Sequence, residues 1–520
     1  MPSRRTSHAS LCLVALLACV GCASLASAQL ADHGLDVPPS TASIERDADI
    51  DAARMVEEMG PLAPIPRVEI GGGATLTLAQ VLASVERHHP AMEVARQRVR
   101  GADGDRLAAE GGFDLGVEAS GWAAPVGYYD WGRANVTLSQ PTPLFGASVF
   151  AGYRIGRGGD VPAYYGEYET LDLGEVRAGI RVPLWQDGPI DQRRSRLWRA
   201  EHAADAERAT LDARRLAMRL EAASAYWSWA AAARKYEVAS RLLSLAETRD
   251  GQIRGRVAAG ALPALEALEN RRVVVQRRGS LVSARRALEQ AAIRLSLYHR
   301  DGSGRPRVPR GAAAPRAFEL PGPVEVELRR EVERAWAQRP ETSRFESLVE
   351  REEVNVEYAE NRLAPRIDLG VAASIDLGAG SDPIEREVLG APVLEGSVLV
   401  SFPLQFREAR GGIDRARADL ASLREEARLM RDRIATEVQD AHSAVIAAEQ
   451  RLDAARESVR VADAVTRAER RRFELGATQL LFVNLREQAL AAAEAELVDA
   501  EASLALAHAA WDAARGGAAR

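Results

Sequence analysis

Apolar side chains recur every three or four residues along two stretches far longer than a helix of an ordinary domain. From Leu420 they run through Leu423, Ala427, Met430, Ile434, Val438, Ala441, Val445, Ala448, Leu452, Ala455, Val459 and Ala462. Such a stripe is a coiled-coil seam. It predicts one helix from about Arg410 to Arg472, about 90 Å long at 1.5 Å per residue. An earlier stretch, from about Ile190 to Arg254, carries the same seam through Leu211, Met218, Ala222 and the cluster Tyr226-Trp227-Ser228-Trp229. Five of the thirteen positions of the later seam are alanine, so neighbouring helices can approach closely.

Ahead of each long helix the period changes from helical to alternating. Pro365 to Val371 and Gly396 to Phe402 alternate with period two around a Gly/Asp/Pro loop at Gly378 to Pro392, which predicts a hairpin. The matching stretch ahead of the first long helix, Phe113 to Pro183, is longer. It predicts strands at Val117–Trp122, Val136–Pro141, Ser148–Tyr153 and Val176–Val182. Six of the ten tyrosines (Tyr128, Tyr129, Tyr153, Tyr164, Tyr165, Tyr168) fall there, with Trp122, Trp131 and Trp185. Aromatics at strand ends suit the two interfacial girdles of a membrane β-barrel. One chain has too few strands to close a barrel, and lipid does not tolerate open sheet edges, so several identical chains must pool theirs.

Shorter motifs show that the chain is an internal duplication. Arg256-Val-Ala-Ala-Gly260 recurs as Arg472-Phe-Glu-Leu-Gly476, Val182-Pro183-Leu184 as Phe402-Pro403-Leu404, and His89-Pro90 as Arg339-Pro340. Only about two copies fit, which excludes a solenoid. The expected organisation is a signal peptide (1–28), an extended linker (29–74), a first repeat (75–305, strand region 113–184), a linker (306–323), a second repeat (324–513, strand region 365–405) and a tail (514–520). Gly71-Gly-Gly73 precedes no helix after a strand, so it reads as a flexible link and not as a phosphate loop. Gly260 and Gly476 each fall between two helical seams, where a glycine with positive φ ends a helix and an arginine in the last turn meets the dipole's negative end.

Composition removes several function classes. Arg4 and Arg5, an apolar run from Leu11 to Val20 and Ala26-Ser27-Ala28 read as a secretory leader, too short to span a bilayer as a helix. Cys19, or alternatively Cys22, could instead be a lipidation site. All three cysteines lie in this leader, which leaves the remainder without disulfide or thiolate chemistry. A net charge of −6 over 520 residues, spread in both signs along the helices, gives no nucleic-acid surface. The eight histidines show no metal-ligand spacing, no nucleophile turn appears, and no cofactor site can be assigned.

Taken in order, Leu76-Thr-Leu78-Ala-Gln-Val81-Leu82 with His88-His89-Pro90, then Arg256 to Glu266, Arg339-Pro340-Glu341, Asn361 to Pro365 and Arg472 to Gly476 resemble the TolC family of outer-membrane efflux proteins. The resemblance covers about Thr75 to Trp511. It implies a mainly α fold with a β-barrel portion: duplicated long coiled-coil hairpins form an α-barrel, and strands are pooled in a trimeric transmembrane β-barrel. It further implies a homotrimer in outer-membrane lipid, with the helices in the periplasm docked on a periplasmic adaptor and an inner-membrane pump or exporter. Arg256, Gly260, Arg472 and Gly476 would then form the adaptor-docking tip. At six and nine residues past each glycine, Glu266 and Glu269, and Phe482 and Leu485, would line the periplasmic gate. Two features depart from the family pattern. Gly111-Gly-Phe113-Asp-Leu115 replaces a proline-led start to the first strand. Val136–Pro141 with Gly146–Tyr153 adds a strand pair, whose place in the barrel or above it the sequence leaves open. The alternative without the resemblance is a periplasmic or secreted coiled-coil structural protein.

Overall fold

Pro at the first helical position and an alanine-rich seam give the helices their boundaries and their partners. In a computed structural model, residues 51–158 (without 53, 57, 59 and 61), 169–379 and 390–517 are described. The expected leader, Cys19 and Cys22, Tyr164, Tyr165 and Tyr168, and part of the Gly378 to Pro392 loop lie outside them. The chain divides into two units, Met1–Gly60 and Pro61–Arg520. In the first, the described residues between 51 and 58 are helical. The rest of the account concerns the second.

Helix α1 (Leu78–His88) starts at a capping box in which Thr77 and Gln80 each bond the other's backbone amide. Helix α2 (Pro90–Glu110) has His89 as its cap and Pro90 at its first position. Strands β1 (Gly116–Ala124), β2 (Trp131–Pro141), β3 (Ser148–Gly158) and β4 (Glu175–Pro183) follow, then the long α3 (Gln192–Ala258) and α4 (Ala264–Leu295). The second copy repeats the order with α5 (Leu328–Gln338), α6 (Pro340–Asn361), β5 (Arg366–Asp376), β6 (Val393–Ser401), α7 (Arg407–Glu474) and α8 (Leu480–Ala514). The 68 residues of α7 span about 100 Å at 1.5 Å per residue.

The expected seams are the buried faces. Met218, Ala222, Tyr226 and Trp229 of α3 pack with Leu281 and Leu288 of α4, and Ile434, Val438, Val445 and Leu452 of α7 pack with Leu504 and Trp511 of α8. Leu423, Met430 and Val459, nearer the ends of the second seam, are only half covered. Both linkers are pinned. The amide of Gly73 donates to Ala312 O at 2.9 Å, that of Leu76 to Ala313 O at 2.9 Å, and that of Val68 to the Tyr236 hydroxyl at 2.7 Å. Leu62, Ile65 and Ile70 pack against the first core as an ordered strap, and Gly71–Gly73, expected to be a flexible link, is held by the bonds of Gly71 and Gly73 to Gly311 O and Ala312 O. Its lack of regular structure hid partners that lie elsewhere in the sequence.

The six strands among the described residues form one antiparallel sheet in chain order, β1-β2-β3-β4-β5-β6, with β1 and β6 at its edges. The registers align one apolar face across the whole sheet. Val117 lies opposite Leu138, Val136 opposite Tyr153, Val149 opposite Ile180, Val182 opposite Leu369, and Leu369 opposite Val398. The other face carries Glu118, Arg133, Thr137, Arg154, Arg177, Asp368 and Ser397. The sheet curls with this polar face inward: in β2, Arg133, Asn135 and Thr137 are half-buried, while Ala134, Val136 and Leu138 are exposed. Trp122 and Trp131 belong to the polar face and not to an outward girdle. The Arg133 guanidinium lies over the Trp122 ring at 5.9 Å, a cation-π contact that a polar neighbour makes available on that side.

Candidate functional site

The two tips are superimposable in chemistry. Helix α3 ends with Gly260 at φ 68° and α7 with Gly476 at φ 73°, the left-handed conformation that glycine adopts without strain. In the first, the Ala261 amide donates to Arg256 O at 2.8 Å and the Gly260 amide to Val257 O at 2.9 Å. In the second, Ala477 donates to Arg472 O at 2.8 Å and Gly476 to Phe473 O at 3.0 Å. Both are Schellman caps, which satisfy the last carbonyls and reverse the chain. Arg256, Gly260, Arg472 and Gly476 are all exposed, and a Cβ on either glycine would meet nothing within 4 Å.

Beyond the turns, Glu266 and Glu269 lie in the first two turns of α4, the former half-covered and the latter exposed and 3.0 Å from Arg272 Nε. Phe482 and Leu485 of α8 are both exposed, at 46% and 52%. Exposed aromatic and aliphatic side chains beside the second tip are unsatisfied within one chain, whereas the first tip carries two carboxylates at the same offsets.

The sequence reading missed the strongest polar feature of this end. Glu487 of α8 is buried, and its carboxylate accepts hydrogen bonds from arginines on the other three long helices. Arg249 of α3 reaches both its oxygens, Arg277 of α4 lies 3.1 Å from Oε2, and Arg470 of α7 lies 3.0 Å from Oε1. Arg249 also donates to Asn484 Oδ1 at 2.8 Å, and Arg277 to Leu242 O at 3.1 Å. Burial opposes ionisation of Glu487, but the bonds from Arg249 and the charges of all three arginines outweigh it and hold the carboxyl below the ordinary glutamate range. The cluster lies about 10 Å along α8 from its start and ties the α3/α4 hairpin to the α7/α8 hairpin. One signal was available: Leu480, Val483, Asn484 and Glu487 follow the spacing of a buried helical face, where a carboxylate requires partners.

No metal-binding group occurs among the described residues, and none of the described helices is long and apolar enough to cross a membrane. The sheet presents one exposed apolar face, with four strands from the first half of the chain and two from the second. Residues 169–298 and 332–517 match the family described as outer membrane efflux protein. The chain belongs to that family.

Solved structures with the same fold include a membrane protein from Pseudomonas aeruginosa, at 17% identity and a TM-score of 0.59, covering 88% of this chain and 96% of that one. The outer membrane protein VceC from Vibrio cholerae is 17% identical with a TM-score of 0.59, covering 85% and 97%. The open state of the Neisseria gonorrhoeae MtrE outer membrane channel is 16% identical with a TM-score of 0.58, covering 88% and 98%. A comparison with curated protein sequences found no match. The expected family and mainly helical fold are thus established, and the chain is an outer membrane efflux protein.

Proposed function

We propose that three copies of the chain assemble into a passive conduit, its pooled strands closing a barrel in the outer membrane and its long helices forming a tunnel in the periplasm. The observation that carries this reading is the sheet: one continuous exposed apolar face, a polar inner face and two edges without a partner strand among the described residues. Such edges are not stable in hydrocarbon, and β6 of one copy against β1 of the next removes them. The apolar face then meets lipid and the polar face lines water.

At the far end, the turns at Gly260 and Gly476 present Arg256 and Arg472 to a periplasmic adaptor, through which an inner-membrane pump or exporter delivers cargo. Glu266 and Glu269 form a carboxylate ring and Phe482 and Leu485 an apolar neck, because three-fold symmetry turns each side chain into a constriction. The Glu487 cluster holds the two hairpins of each protomer together in the closed arrangement, so opening must separate Glu487 from Arg249 and Arg277. Cargo selection belongs to the pump.

Recovery of heat-resistant trimers from the outer-membrane fraction is the expected result. A soluble coiled-coil rod, or cross-linking in membranes that stops at dimers, would refute the reading.

A further inference from the structure

Among the described residues the hairpin β2–β3 has no counterpart in the second repeat, where β5 is followed in the sheet by β6. Both inserted strands pair along their length: β2 with β1 from Trp131 to Ser139, and β3 with β2 over all eleven residues of each. Eleven residues is the length of a tilted strand crossing a bilayer. The outward side chains Val136, Leu138, Val149 and Ile155 continue the apolar face set by Val117 and Ile180, and Arg133 and Thr137 continue the polar one. A hairpin standing in water above the membrane would have no physical need for that unbroken alternation. Its lower turn also reaches the helix end of the sheet. There Gly146 is packed so closely on Asp187 O, just ahead of α3, that a Cβ would lie 2.5 Å from it. The exposed Leu144 and Phe145 at this turn lie at the level of Leu184 and Trp185, where the strands give way to helices.

We infer that the inserted hairpin is part of the membrane-crossing wall, so that six strands from each of three chains give an eighteen-stranded barrel with a bore suited to bulky or polymeric cargo. The inference rests on the trimeric channel proposed above. Without the hairpin the two copies would supply two strands each, and a trimer would close with twelve. At a strand spacing of about 4.8 Å and a tilt of about 40°, the backbone radius is about 18 Å for eighteen strands and about 12 Å for twelve. Subtracting about 5 Å for inward side chains leaves a bore of about 26 Å rather than about 14 Å. The exit is then wide, and size selection falls to the periplasmic end.

Two cysteine variants test this, since the sequence beyond Cys22 has no cysteine. Thr137→Cys faces the bore and Val136→Cys the lipid. In intact cells a poly(ethylene glycol) maleimide about 20 Å across, a size between the two bores, should label Thr137→Cys and not Val136→Cys, which should react only with a bilayer-soluble maleimide. Equal aqueous labelling of both would place the hairpin outside the membrane and overturn the inference. End-on electron-microscope averages of purified trimers should show a wall about 36 Å across; about 24 Å would overturn it. Trimer bands on the same gels read assembly separately: their absence refutes the trimeric channel, whereas trimers with the narrow wall refute the wide bore alone.

Discussion

Replacing Glu487 by glutamine removes one charge while keeping the shape of the side chain. In the folded chain that charge faces Arg277, whose side chain is 7% exposed, and Arg249, at 12%. Breaking a buried ion pair by removing one partner costs about 3–5 kcal/mol, because the other charge stays buried without compensation. Arg470 is 39% exposed and screened by water, so its share is small and the lower end of that range applies. If the whole loss falls on the closed arrangement, about 3 kcal/mol shifts the balance between closed and open tips by about a hundredfold. In planar bilayers Glu487→Gln should convert a channel that is mostly shut into one with frequent long openings, and Arg277→Gln should act in the same direction. The double variant should open little more than either single one, since both remove the same interaction. Unchanged opening in Glu487→Gln, together with a lowered melting temperature, would show that the cluster only holds the hairpins in the folded protein and has no part in gating.

Acid should act on the same group. Because the Glu487 carboxyl is held below its ordinary value, its contribution is complete above about pH 4.3 and is lost as pH falls through the folded-state value, so resting conductance should rise on acidification in the native channel and stay flat in Glu487→Gln. At the tips, Gly260→Asp and Gly476→Asp meet open space and cost only about 1–2 kcal/mol of backbone strain each. Trimers should therefore reach the membrane while efflux is lost; retained transport in a susceptibility assay would remove the docking role. Glu266→Gln with Glu269→Gln should lower cation preference and weaken block by divalent ions, whereas Phe482→Ala should chiefly raise resting conductance; unchanged ion selectivity in the double variant would place these glutamates on a solvated outer face. In the helical body, Trp229→Ala removes a fully buried ring and should cost about 3–5 kcal/mol, read as a lowered midpoint in urea.

The two longest helices, the turns that end them and the six strands were legible because each rests on a local rule. Seam spacing placed α3 and α7 within a few residues of their ends, and a glycine after a basic last turn marked both Schellman caps. What the sequence hid depends on distant partners. Glu487 is separated from Arg249 by 238 positions and from Arg277 by 210, so no window along the chain contains the cluster. The strap from Leu62 to Ile70 has no periodicity of its own and is held by Tyr236 and by the first core. Alternation gave the strands two faces but not which face a given aromatic would choose, and Trp122 chose the side of Arg133. Whether the added hairpin extends a sheet or stands apart is a question of register, which only pairing answers.

The unpaired edges of β1 and β6 also set how the molecule is made. In the proposed trimer a single chain can complete its helical cores alone, because those contacts lie within one chain, but its outermost strands finish folding only on another copy. Production of channel should therefore rise more steeply than in proportion to synthesis, as for any product that needs several copies to meet. At low expression, isolated chains should linger with sticky edges and be lost to proteolysis or misassembly. Measured yield against promoter strength would then curve upward, a dose-dependence written into two bare strand edges.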